Sequence, residues 1–151
     1  MRPSDNADRM AYRIARDQLL RRGAVGERLV WHESEDFYQH GEIGAYRFLL
    51  VHGDEIKSFG GNVPAFGIVR KATGWRSGVL PEFRDVYMGH WHQHQQLALP
   101  NGGAIYVTGS PESSNAYAKE FCAASGQPSQ RLHFVDPVKG RVVSECRLWL
   151  D

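Results

Sequence analysis

Residues 89–94 read GHWHQH, which sets His90, His92 and His94 at alternate positions directly after the apolar run DVYM. The chain holds seven histidines, so three of them fall in one six-residue stretch. Imidazole is a common metal ligand, and it binds through a neutral ring nitrogen. Two histidines two apart on an extended segment can chelate one ion or divide between two neighbouring ions. Such ligands suit zinc, iron, nickel and, with added oxygen ligands, manganese. The same alternation also arises on any solvated strand, so His-x-His alone does not define a site. A second context adds to it: His52 ends the run LLVH and is followed by Gly53, while Gly89 precedes His90. The carboxyl end of an apolar strand is where open α/β sheets bind ligands, and glycine lets the backbone bend closely around a bound ion. His52, His90 and His92 are therefore the candidate metal ligands. His94 is expected to point away or lie at the rim. His32, His40 and His133 have no comparable setting.

The elements that must position these residues are legible in outline. The stretch DNADRMAYRIARDQLLRR, from Asp5 to Arg22, sets Met10, Ile14 and Leu19 roughly on one helical face, with Ser4 or Asp5 as cap and Gly23 as stop. Strand-like runs follow around Leu29 to Trp31, at 36–40 and at 45–52; the last, AYRFLLVH, is nearly continuous apolar, as in a strand buried on both faces. Residues 53–82 are glycine-rich and without clear period, an irregular segment with room for a short helix near Gly67–Thr73. DVYMGH and GGAIYVTGS read as further strands, and SSNAYAKEFCAAS as a helix capped by Ser113 or Ser114. Residues 131–150 form a hairpin turning at Asp136 to Gly140. The order predicts one mixed α/β domain over residues 1–151.

Composition narrows the function. A chain of 151 residues can bury a core, and 42 % apolar with 23 % charged residues is an ordinary globular balance. A formal net charge of +1 makes no general electrostatic case for nucleic acid or an anionic membrane. Cys122 and Cys146 lack CxxC spacing and read as reduced and structural. No apolar run reaches the roughly 18 residues of a membrane span, so no membrane partner is expected. MRPSDNADRM lacks the apolar centre of a signal peptide, so a cytoplasmic location is expected.

The runs LLVHGD, VYMGHWH and YVTGS, each a strand closing in HG, GHxH or GS, resemble the carboxy-terminal signature of calcineurin-like metallophosphoesterases. The likeness spans Tyr46 to Ser110 and is closest to the phage and bacterial branch, in which the loop after HGD is long and rich in glycine. It implies part of a four-layer αββα sandwich with mixed sheets and flanking helices, and hydrolysis of a phosphomonoester or phosphodiester. It further implies that His52 and His90 hold a second metal and His92 the first, with manganese expected and zinc or iron as alternatives. Since histidine ligands must be neutral, activity should fall at acid pH. The loop from Glu55 to Phe83 would border the site as a lid. It carries Phe59, Asn62, Arg70, Lys71, Trp75 and Arg76, of which Asn62, Arg70 and Arg76 are the candidate substrate contacts, for a phosphate ester that includes nucleic acid.

The family also uses a DxH, a bridging aspartate in a GD loop and a GNH, and nothing before His52 matches them. The chain thus resembles the carboxy-terminal half of such a domain. Two close dications need anionic bridging oxygen to offset their repulsion. A dinuclear centre is accordingly expected only with a complementing amino-terminal chain, and little or no turnover without it. Asp54 and Asp85 are the carboxylates nearest in sequence that could substitute. Two other readings compete: a non-catalytic metal-binding or interaction module with vestigial histidines, and a cupin-like metal protein, whose glutamate would fall where Gln95 and Gln96 stand.

Overall fold

The computed structural model describes residues 7–23, 29–58, 62–112 and 127–150. The chain forms two compact units, Met1–Gln39 and His40–Asp151. In the first, helix α1 spans Ala7–Arg21. It ends as its sequence requires: Gly23 adopts φ 63°, and its N–H donates to the Leu20 carbonyl at 2.9 Å. The expected cap at Ser4 or Asp5 lies outside the described residues. The expected apolar face is not buried, since Met10 and Ile14 are 66 % and 53 % exposed. A stripe of apolar residues sets what a helix can bury, and only packing decides whether it does. Arg9 instead ties the unit through polar contacts, with its Nε 3.3 Å from Glu33 and its guanidinium on Glu35. No strand forms at Leu29 to Trp31.

The second unit is built on a five-stranded mixed sheet. Its strands are β1 (Tyr38–Ile43), which begins at the unit boundary, β2 (Tyr46–Val51), β3 (Asp85–Met88), β4 (Gln95–Ala98) and β5 (Ala104–Val107), in the spatial order β1-β2-β3-β5-β4. β2, β3 and β5 run parallel, and β4 returns antiparallel to β5. β5 is the strand buried throughout. β2, expected to be so, is only partly buried: Tyr46 and Leu49 are buried while Arg47 and Leu50 are exposed. β4 was not expected, because QQLA carries little strand signal of its own. Backbone turn chemistry makes it: Asn101, Gly102 and Gly103 all take positive φ and return the chain beside β5. A side chain on Gly103 would meet the Arg84 carbonyl at 2.1 Å, so this approach requires glycine.

Helix α2 spans Ala65–Gly74 and continues into a π-type turn, Trp75–Val79. It is longer than the short helix expected near Gly67–Thr73. Ile68 and Ala72, four apart, are fully buried and hold one face against the core. Strands β6 (Ser129–Asp136) and β7 (Arg141–Trp149) form the expected carboxy-terminal hairpin. Asp136 Oδ1 accepts the N–H groups of Val138 and Lys139, each at 2.9 Å, and Gly140 turns the chain at φ 59°. The helix expected at 113–125, and Cys122 with it, lies outside the described residues. Cys146 is a free, exposed thiol.

A hydrogen-bonded chain of side chains fastens the hairpin to the sheet. Asp85, 2 % exposed, accepts the Ala104 N–H at 2.7 Å and the Tyr46 hydroxyl at 2.8 Å. Tyr46 meets Tyr87 at 3.0 Å, and Tyr87 meets His133 Nδ1 at 2.6 Å. His133 Nε2 then meets Glu145 at 2.8 Å, and Glu145 also takes His94 Nε2 at 3.1 Å and the Arg131 guanidinium. Burial, with the bonds to Tyr87 and Asp85, pushes the Tyr46 hydroxyl far above its ordinary range. It therefore stays a donor at any working pH.

Candidate metal centre

The pairing of β2 with β3 places two of the candidate ligands. Val51 lies opposite Met88 in the parallel register, so the residues that follow each strand leave the sheet side by side. The His52 carbonyl accepts both the Gly89 N–H at 3.2 Å and the His90 N–H at 3.0 Å. Side chains at 52 and 90 are thereby brought together: His90 Nδ1 is 3.2 Å from His52 Nε2, with ring centroids 5.0 Å apart and planes at 70°. The floor is aromatic. Trp91 is buried, 5.3 Å from the His90 ring between centroids, and under the bend at Gly53. Gly53 has φ 105°, and a side chain there would lie 2.9 Å from the Trp91 ring. Only glycine satisfies both demands.

Electrostatics favour the ligating form. Burial lowers the His90 pKa first, and the neighbouring His52 and His92 push the same way, against opposing pulls from Asp54 and Glu55. A neutral imidazole keeps a lone pair for a Lewis acid. The pair also has suitable spacing. Two nitrogens bound to one ion at about 2.1 Å stand roughly 3.0–3.4 Å apart between octahedral and tetrahedral angles, and the observed 3.2 Å lies within that span. Among the described residues no three histidine, cysteine, aspartate or glutamate side chains gather as a ligand set. His52 and His90 thus fit as two ligands of one ion, not as a complete coordination sphere.

The other candidates are placed differently. His92 lies in a turn closed by its N–H on the Gly89 carbonyl at 3.2 Å, with left-handed φ of 52°. That turn breaks the strand alternation by which two histidines two apart would share a side. His94 is taken up by Glu145. Asp54 is exposed beside the pair, whereas Asp85 is fully engaged with Ala104 and Tyr46 and is no substitute ligand. Asn62 is exposed. The Arg76 guanidinium donates to the Pro100 carbonyl at 3.1 Å and to that of Gly102, bracing the β4–β5 turn. Arg70 lines a cavity of about 460 Å³ with Glu55, Ile56, Lys57, Gly67 and Lys71. Glu55 and Lys57 were not singled out in sequence. The only signal was their position three and five residues after His52, within a stretch that reads as ordinary polar loop.

No family model matches the chain, and no curated protein matches it. Solved structures do. Vps29 of Chaetomium thermophilum superposes with a TM-score of 0.50 at 13 % identity, over 83 % of this chain and 68 % of that one. The fold is Vps29-like. The mixed α/β architecture is thus shared with Vps29 at the level of fold. Zinc-complexed Vps29 of Entamoeba histolytica gives a TM-score of 0.48 at 16 % identity, over 80 % of this chain and 64 % of that one. A predicted phosphoesterase of Streptococcus pneumoniae gives 0.42 at 11 % identity. The chain spans only 64 % of the length of the Entamoeba protein.

Proposed function

We propose that this chain carries part of a metal-dependent phosphoesterase site, with His52 and His90 as neutral ligands of one divalent cation and His92 contributing to a neighbouring position. The observation that supports this is the facing of His90 Nδ1 and His52 Nε2 at 3.2 Å on adjacent parallel strand ends. A bound divalent ion would supply Lewis acidity toward a phosphate oxygen. The chain's own residues supply the rest. Gly53 and Trp91 hold the two imidazoles in place, Asp54 and Glu55 add negative potential that favours a cation, and Arg70 with Asn62 offers donors to phosphate oxygen. Arg76, engaged by two carbonyls, is not part of this reading. Manganese is the expected ion, a phosphate ester the substrate, and a complementing chain the source of the acidic ligands.

The test is direct. The purified chain should bind about one equivalent of manganese or zinc by calorimetry, and His52→Ala or His90→Ala should each weaken binding more than tenfold. Hydrolysis of a phosphodiester model substrate should be slow or absent until a DxH–GD–GNH segment is supplied, fused or in trans. A chain with no measurable affinity for either metal would refute the reading. A non-catalytic metal-binding or interaction module is the second reading. Metal binding without turnover after complementation would select it.

A further inference from the structure

The cavity between the Gly53–Lys57 stretch and α2 is electrically lopsided. Lys57, Arg70 and Lys71 line it, against one carboxylate, Glu55. Lys71 Nζ is 3.3 Å from Glu55 and 5.5 Å from the centroid of the Trp75 ring, so its charge is partly answered. Among the described residues neither Lys57 nor Arg70 forms an ion pair. Like charges held around one concavity repel, and their summed field attracts an anion. The shape agrees. Gly67 adds no side chain to the wall, and one there would begin 3.2 Å from the Ile56 methyl. A volume of about 460 Å³ admits a phosphate together with the sugar or alkyl group that carries it. An arginine fork beside two ammonium groups offers donors in several directions, as a tetrahedral dianion requires and a planar carboxylate does not.

We infer that this cavity is a metal-independent phosphate subsite, in which Lys57, Arg70 and Lys71 grip a phosphoanion and Glu55 competes with it for Lys71. Its wall follows the histidine pair closely along the chain. The Ile56 N–H closes a turn onto the Gly53 carbonyl at 3.1 Å, and Glu55 stands three residues from His52. Resting on the phosphoesterase reading, the substrate class follows: an ester with a second phosphate remote from the one presented to His52 and His90.

Inorganic phosphate titrated into the full chain in EDTA, followed by calorimetry, tests the subsite without any metal. Saturable binding is expected. Arg70→Ala should raise Kd about tenfold and Lys57→Met several-fold, while Glu55→Gln should lower it several-fold by releasing Lys71. Arg141→Ala, on the hairpin, should change nothing, and His90→Ala should leave phosphate binding intact even where it removes metal binding. Absence of saturation, equal weakening by Arg141→Ala and Arg70→Ala, or no gain in Glu55→Gln would each overturn the subsite. With manganese present, adenosine 3′,5′-bisphosphate should bind about tenfold more tightly than adenosine 5′-monophosphate, and Arg70→Ala should erase that difference. Equal affinities alongside an intact phosphate subsite would overturn the substrate class alone.

Discussion

Two groups of histidines lie in the second unit, and they differ in how their polar atoms are answered. His94 and His133 end in Glu145, which Arg131 also reaches, and the chain of bonds runs on through Tyr87 and Tyr46 to Asp85. His52 and His90 face each other across 3.2 Å, with carboxylates nearby but no bond to them. The first group meets at Glu145 and clamps β6 and β7 to the sheet, with only His94 Nδ1 among its ring nitrogens left without a partner. The second is held in position by backbone bonds and glycine, and among the described residues its ring nitrogens bond only to each other. A histidine's role thus follows from what answers its nitrogens, not from the density of histidines around it.

The contrast predicts the largest loss of stability at Asp85. Asp85→Ala leaves the Ala104 N–H and the Tyr46 hydroxyl buried without their acceptor, which should cost about 3–5 kcal/mol. Urea unfolding should show it as a large drop in midpoint. His52→Ala, on the open side, should cost less than about 1 kcal/mol. Comparable losses in the two variants would erase the distinction.

Gly53→Ala comes next. It forces a side chain into the left-handed region and against the Trp91 ring, at an expected cost of about 1–3 kcal/mol. It should also weaken metal binding, since the bend carries His52. Unfolding and metal calorimetry on the same variant separate the two effects.

The closed group should also set an acid limit. Glu145 is held down to a pKa of about 2 although partial burial opposes this, because bonds from His94 and His133 and the charge of Arg131 outweigh it. The unfolded state therefore binds the proton more readily. This contribution is fully present above the ordinary carboxylate value near 4.5 and is lost as pH falls through that window toward 2. Glu145→Gln should be less stable at neutral pH and should lose less on acidification. Parallel pH–stability curves for the two proteins would contradict the assignment.

The smallest effect belongs to His90. Its pKa lies below the ordinary 6.5, chiefly through burial and then through His52. The unfolded chain again takes the proton first, so a modest contribution present above 6.5 fades as pH drops through the folded value. An NMR titration of the ring in metal-free protein should show a midpoint below 6.5, and His52→Ala should move it upward. A midpoint at or above 6.5 would contradict the lowered value.

Much of this was readable along the chain, because local signals sufficed. Gly23 stops α1, Asp136 and Gly140 make the hairpin turn, and the strands closing in His52 and before His90 show in their apolar runs. That His52 and His90 close neighbouring strands was legible from those runs and the adjoining glycines. What went unread depends on partners distant in sequence. β4 exists because glycines at 102 and 103 return it to β5, and the exposure of Arg47 and Leu50 on β2 depends on what packs over the sheet. His133 had no distinguishing neighbour in sequence, and its partners Tyr87 and Glu145 are 46 and 12 residues away. The cations at 57 and 70 face one cavity only because α2 packs through Ile68 and Ala72. Residue type and spacing determined which side chains could ligate and which turns could bend. The tertiary structure decided which of them meet, because pairing register, a left-handed φ at His92 and the competition of Glu145 for His94 arise only when strands remote in sequence lie side by side.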